Sequence, residues 1–130
     1  MREIKFRAWD KMDNEMIFDI VYNYDGQYDF AINRNPFSFF ILHGGFEVMQ
    51  YTGLKDRNGV EIYEGDILIA PTFNAGQRHM CVVVFENAGF KLKLISPKEY
   101  KNDRMLFYES YNGEKCEVIG NIYQNKELFE

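Results

Sequence analysis

The 130-residue sequence predicts a mainly β fold, built as a small barrel or roll of bent antiparallel strands. Three observations support this prediction. Aromatic residues make up 17% of the chain, and their side chains pack well on pleated sheets. Apolar and polar residues alternate with a period of two in several segments. Two tight turns, at 58–59 and 64–66, leave so short a segment between them that the sheet must bend strongly.

The length falls within the usual range for one domain, and no linker, repeat or low-complexity stretch divides the chain. We therefore expect a single domain over residues 1–130. Hydrophobic residues make up 46% and charged residues 27%, which is typical of a globular protein with one core.

The N-terminal segment predicts a β-hairpin. Residues 4–9 alternate between apolar and mostly charged side chains, which predicts a half-buried strand. Turn-forming residues at 10–14 and an apolar run over 16–22 complete the hairpin. Over residues 23–45, Asn, Gly and Pro recur among aromatic residues, which predicts an irregular insertion.

The central segment predicts two successive turns. Asn58-Gly59 is a strong hairpin signal, and we expect a type I′ turn in which both residues adopt positive φ. Residues 64–66 predict a second turn, which leads into a strand over 67–70.

Apolar runs predict further strands over 80–85, 90–95 and 116–120. The second of these alternates regularly, which places Lys91 and Lys93 on its solvated face. The tail over 121–130 predicts about two turns of helix with its apolar side chains toward the core.

Charge and hydropathy restrict the location and the partners of the chain. The net charge of −5 disfavours a general phosphate-binding surface, although a local basic patch is compatible with it. The charged N-terminus lacks the apolar region of a signal peptide, and the apolar runs are far shorter than the ~20 residues of a membrane span. We expect a soluble cytoplasmic protein that does not bind membranes.

The cysteines and histidines show no arrangement typical of a metal or catalytic site. Cys81 and Cys116 are too few for a disulfide framework or a zinc knuckle, and we expect reduced, packed thiols. His43 and His79 have no metal-ligand spacing around them. His79 lies two residues from Cys81, but the apolar run that Cys81 opens is expected to raise the pKa of its thiol.

Three carboxylates, Glu61, Glu64 and Asp66, could act in acid–base chemistry or bind a hard cation. The calcium-loop pattern is absent, and we favour a structural interpretation in which Asp66 binds the backbone of its own turn. The sequence also lacks a phosphate-binding glycine loop and a nucleophile elbow. We therefore predict no catalytic, metal-binding or cofactor-binding residues, and no enzymatic activity.

Two kinds of binding surface remain. Basic residues interleaved with aromatic ones could bind single-stranded nucleic acid on a small barrel, with Arg7, Trp9, Lys91 and Lys93 as its face. The same side chains could instead cover the solvated faces of strands. The tyrosine-rich segment over 22–28 is typical of a protein interface or a self-association surface.

Residues 50–56, followed by Asn58-Gly59 and by Glu61-Ile62-Tyr63-Glu64-Gly65-Asp66, resemble the hallmark stretch of the YopX family. The opening Phe6-Arg7-Ala8-Trp9-Asp10 and the closing residues 117–123 resemble the two ends of that family. Lys126 departs from the Pro that the family has before Glu-Leu, which weakens the helix-start signal there. Residues 23–45 and 72–115 show no comparable match.

The resemblance implies a small protein encoded by a bacteriophage or prophage, with an SH3-like barrel. It implies no particular biochemical activity. We interpret its motif first as architecture, carried by Gly53, Asn58, Gly59, Tyr63, Gly65 and Asp66. The predicted function is that of a non-enzymatic module that binds a host or phage protein, with self-association left open. The alternative is a small β-barrel that binds single-stranded nucleic acid, which the net charge disfavours.

Overall fold

A computed structural model describes residues 3–20, 44–71, 78–96, 106–107 and 115–129. Most of the predicted insertion over 23–45 therefore lies outside the described residues, as does the tyrosine-rich segment over 22–28.

The described residues form nine β-strands and one short helix. The strands are β1 (Phe6–Asp10), β2 (Glu15–Ile20), β3 (Phe46–Lys55), β4 (Glu61–Tyr63), β5 (Asp66–Pro71), β6 (Arg78–Glu86), β7 (Gly89–Ser96), β8 (Leu106–Phe107) and β9 (Glu117–Asn121), and the helix is α1 (Lys126–Phe129). The four-stranded sheet has the order β2-β1-β3-β4, and the five-stranded sheet has the order β8-β7-β6-β5-β9.

The chain divides into two compact units, Met1–Gly53 and Leu54–Glu130. The expectation of one domain over residues 1–130 stays a prediction.

In the first unit, β1 lies between β2 and β3 and is antiparallel to both. The predicted N-terminal hairpin is confirmed as β1 and β2. Ala8 and Ile20 form the centre of a small core. The expectation that β1 is half-buried is wrong, because Arg7, Trp9 and Asp10 are buried as well as Ala8. Polarity along one strand indicates its apolar face, but it carries no information about what covers the polar face.

One of the two antiparallel sheets is curled into a half-barrel, which confirms the mainly β fold of bent antiparallel strands. The second unit contains the five-stranded sheet. Its core is formed by buried side chains from several strands and from the segments beside them: Ile62, Leu68, Ala70, Cys81, Val83, Leu92 and Cys116. Lys91 on β7 is buried, contrary to the expected solvated face, whereas Lys93 is exposed as expected.

The C-terminal helix is confirmed but is shorter than predicted. It spans the four residues Lys126–Phe129 rather than about two turns. The preceding residues form a turn instead, in which the Asn121 side-chain oxygen accepts hydrogen bonds from the backbone N–H groups of Tyr123 at 3.0 Å and Gln124 at 2.9 Å. An Asn side chain that binds nearby backbone in this way competes with helix formation.

Candidate functional site

The residues of the central motif form two consecutive turns on either side of β4. In the first turn, the Gly59 N–H donates to the Asp56 carbonyl oxygen at 3.1 Å, and the Asp56 N–H donates to the Val60 carbonyl oxygen at 2.8 Å. Gly59 has φ of 82°. This pattern is typical of a three-residue hairpin loop with glycine in the left-handed conformation.

The predicted type I′ turn at Asn58-Gly59 is therefore wrong, since within this loop Gly59, and not Asn58, has positive φ. The reason is the preceding carboxylate. Asp56 Oδ1 accepts hydrogen bonds from the N–H groups of Asn58 at 2.8 Å and Val60 at 2.9 Å, which stabilises a longer loop. A two-residue turn with positive φ at both positions occurs instead at Asn87-Ala88 between β6 and β7.

The buried Asp56 side chain also joins this loop to β9. Its Oδ2 accepts a hydrogen bond from the Val118 N–H at 2.9 Å, and the Arg57 N–H donates to the Cys116 carbonyl oxygen at 2.9 Å. Burial acts to raise the pKa of Asp56, but the three backbone hydrogen bonds and the positive charge of Arg57 outweigh it and hold the pKa below its ordinary value. Asp56 is therefore a structural anion in the folded chain.

The second turn contains Gly65, which has φ of 87°. Its N–H donates to the Val83 carbonyl oxygen at 2.8 Å, and its own carbonyl oxygen accepts from the Ile122 N–H at 3.0 Å. The buried Asp66 carboxylate accepts from the Tyr63 N–H at 2.8 Å. Gly65 thus joins the turn to two neighbouring segments. The architectural interpretation of the whole motif stays a prediction.

The three motif carboxylates differ in burial, with Glu61 and Glu64 half-buried and Asp66 buried. Within the described ranges, the acidic group compact enough to hold a metal ion lies elsewhere, at the β1–β2 turn, where carboxylate oxygens of Asp10, Asp13 and Glu15 lie within 4.8 Å of one another. This group was not among the predicted sites. There, Asp10 Oδ1 accepts hydrogen bonds from the N–H groups of Met12 at 2.9 Å and Asp13 at 3.2 Å, so this carboxylate also stabilises a turn.

The two cysteines are free and buried in the core of the second unit. Burial, with a smaller contribution from Cys116, raises the pKa of the Cys81 thiol to about 12. Burial and the neighbouring Asp56 charge raise the pKa of Cys116. Since the thiolate is the nucleophilic form, both side chains are inert packing groups at neutral pH.

The four residues of the predicted nucleic-acid face have different environments. Arg7 and Trp9 are buried in the first unit. In the second unit, Lys91 is buried and Lys93 is exposed. The prediction that these four residues form one nucleic-acid face stays a prediction. Among them, Lys93 has an exposed side chain.

The β1–β2 hairpin carries exposed apolar side chains that were not among the predicted sites. Met12 in the turn is 84% exposed and Phe18 on β2 is 55% exposed, as is Ile4 just before β1. We name Met12 and Phe18 the hairpin surface. Phe18 lies in a predicted apolar strand, where hydrophobic residues are ordinarily assigned to the buried face, and Met12 is a single apolar residue in a predicted turn. Neither position therefore indicated this exposure.

A helix long and apolar enough to span a membrane does not occur in the part of the chain that the structure describes.

Comparison with known proteins identifies a matching family and similar solved structures. The family model described as YopX protein matches residues 5–130. The crystal structure of protein EF1440 from Enterococcus faecalis is similar, with a TM-score of 0.61, 30% identity and 100% of each chain covered. The crystal structure of protein yopX from Bacillus subtilis has a TM-score of 0.56 and 22% identity, covers 100% of this chain and 98% of its own, and supports the fold alone. A search of curated proteins finds no match.

Proposed function

Because the chain belongs to the YopX family, we propose that it is a non-enzymatic accessory protein of a bacteriophage or prophage that binds a host or phage protein. The observation that carries this proposal is the hairpin surface, where Met12 and Phe18 expose large apolar side chains on a single β-hairpin.

The register of the hairpin is irregular beside Phe18. Phe6 pairs with Ile20 and Ala8 pairs with Ile17, so two residues of β2, at 18 and 19, lie opposite Arg7. A bulge of this kind changes the direction of a side chain relative to a regular strand. Exposed methionine and aromatic side chains are typical of protein-binding surfaces, since they bury much apolar area on contact.

The environment of the reactive side chains supports binding rather than catalysis. The carboxylates of Asp10, Asp56 and Asp66 each accept backbone hydrogen bonds that stabilise turns. The thiols of Cys81 and Cys116 are buried and protonated. These groups therefore have structural roles, which leaves them poorly suited to acid–base or nucleophilic chemistry.

The test is affinity capture with the tagged full chain from a lysate of phage-carrying bacteria, treated with nuclease and analysed by mass spectrometry. The test variant is Met12→Ser with Phe18→Ser. The matched control is Val60→Ser with Ile119→Ser, because these residues are 48% and 37% exposed in the second unit. We expect a stoichiometric protein to be captured by the wild-type chain and the control but lost from the hairpin variant.

Thermal unfolding of all three proteins checks that the variants fold. Equal capture by the hairpin variant would contradict the proposed surface. A captured partner that disappears after nuclease treatment would contradict protein binding and favour the single-strand nucleic-acid alternative, with Lys93 as the first residue to replace.

A further inference from the structure

The Asn58-Gly59 dipeptide in the hairpin loop has a reactivity that the proposed binding function does not use. An asparagine side-chain amide can be attacked by the backbone nitrogen of the next residue, and glycine hinders that attack least because it lacks a Cβ. Asn58 and Gly59 are both exposed, and a Cβ built on Gly59 would meet nothing within 4 Å. We propose that Asn58 is a site of spontaneous deamidation in the folded protein.

The reaction needs only water. The Gly59 backbone nitrogen forms a bond to Asn58 Cγ and loses its proton, while the Cγ–Nδ2 bond breaks and the side-chain nitrogen leaves as ammonia. The product is a five-membered succinimide. Water then opens this ring at one of its two carbonyl carbons and leaves either aspartate or isoaspartate at position 58.

The hydrogen bonds of the loop set the rate. The attacking Gly59 nitrogen donates its proton to the Asp56 carbonyl oxygen at 3.1 Å, and Asp56 Oδ1 holds the N–H groups of Asn58 and Val60. The loop must open locally before the ring can close. One hydrogen bond changes the equilibrium constant for this local opening by a factor of roughly two to ten. Asn58 therefore reacts more slowly in the folded chain than in the unfolded chain.

The isoaspartate product changes the loop that joins β3 to β4. It adds one methylene group to the backbone between positions 58 and 59, so the Gly59 and Val60 N–H groups can no longer both reach their present acceptors on Asp56. Either product places a new carboxylate beside Asp56, whose own charge the loop already stabilises. Deamidation therefore weakens this loop.

The test is peptide mapping of the folded full chain after incubation at mildly alkaline pH. Trypsin cleaves after Arg57 and Arg78, so Asn58 begins its own peptide, whereas Asn112-Gly113 lies in a separate peptide over 105–115. We expect fragment ions to place the mass gain of an amide-to-acid conversion on Asn58. An isoaspartyl methyltransferase should label the same peptide.

Asn87-Ala88 is the control within the same molecule, because it is also an exposed turn dipeptide but its second residue carries a Cβ. We expect Asn58 to react at least several-fold faster than Asn87, and the variant Asn58→Gln to lose the mass gain. The proposal is overturned if Asn58 keeps its amide for as long as Asn87 does, or if the fragment ions assign the gain to Asn74.

Discussion

The Asp56 carboxylate accepts a hydrogen bond from the Val118 N–H at 2.9 Å, across a sequence separation of 62 residues. This bond joins the hairpin loop between β3 and β4 to β9, which lies at one edge of the five-stranded sheet. The neighbouring Arg57 N–H donates to the Cys116 carbonyl oxygen. Together these contacts satisfy backbone groups that an edge strand would otherwise present to solvent or to another chain.

The first prediction concerns the variant Asp56→Asn. An amide has one acceptor oxygen, so its NH₂ group must face either the Val118 N–H or the two loop N–H groups of Asn58 and Val60. Burying a donor without an acceptor should lower the free energy of unfolding by about 2–3 kcal/mol. Urea unfolding at neutral pH measures this change. The exposed turn residue Asp13→Asn is the control and should change it by less than about 0.5 kcal/mol.

The second prediction concerns acid pH. The pKa of Asp56 in the folded chain is below its ordinary value of 3.8, so its charged form stabilises the fold above that value. As the pH falls below 3.8 toward the folded pKa, the unfolded chain binds a proton first and this contribution is lost. Chemical denaturation across the acid range should show that Asp56→Asn loses less stability than the wild-type chain. Parallel curves for the two proteins would contradict the role assigned to the Asp56 charge.

The third prediction concerns the turn between β6 and β7. Ala88 has φ of 64°, and a side chain in this region costs about 1–2 kcal/mol relative to glycine. Part of the gain is offset because glycine is more flexible in the unfolded chain, so Ala88→Gly should stabilise the protein by about 0.5–1 kcal/mol. The reverse change at Gly59, where φ is 82°, should destabilise it. Thermal unfolding of the two variants measures both signs.

The fourth prediction concerns the contact between Gly120 and Asn125. A Cβ on Gly120 would lie less than 3 Å from the Asn125 side chain, whose oxygen accepts a hydrogen bond from the Asn121 N–H at 3.1 Å. Gly120→Ala should therefore displace Asn125 and lower the free energy of unfolding by about 1–2 kcal/mol.

A double-mutant cycle checks the cause of this loss. In the background of Asn125→Ala, the cost of Gly120→Ala should fall, because the side chain that it displaces is already gone. Gly44→Ala is the control, since a Cβ there meets nothing within 4 Å, and it should have little effect. An unchanged cost in the Asn125→Ala background would show that the loss has another origin.

Local patterns in the sequence were sufficient for most of the regular structure. Alternation and turn residues predicted the N-terminal hairpin, and the apolar runs predicted β6, β7 and β9 to within a few residues. These features depend on neighbours along the chain, namely the pleat of a strand and the φ preferences of Gly and Asn. Gly65 was likewise predicted to lie in a turn, and its φ of 87° explains why glycine occupies this position.

Tertiary contacts decided what local patterns could not. The loop at Asn58-Gly59 is longer than a type I′ turn because Asp56 binds its N–H groups and, in addition, Val118 on β9. Arg7 and Lys91 are buried, although their charge assigned them to solvated faces. Such outcomes depend on residues that meet only after the chain folds. The sequence by itself therefore determined the strands, the turns and the family. The tertiary structure decided which side chains are buried, which carboxylates accept hydrogen bonds from the backbone, and which apolar side chains stay exposed.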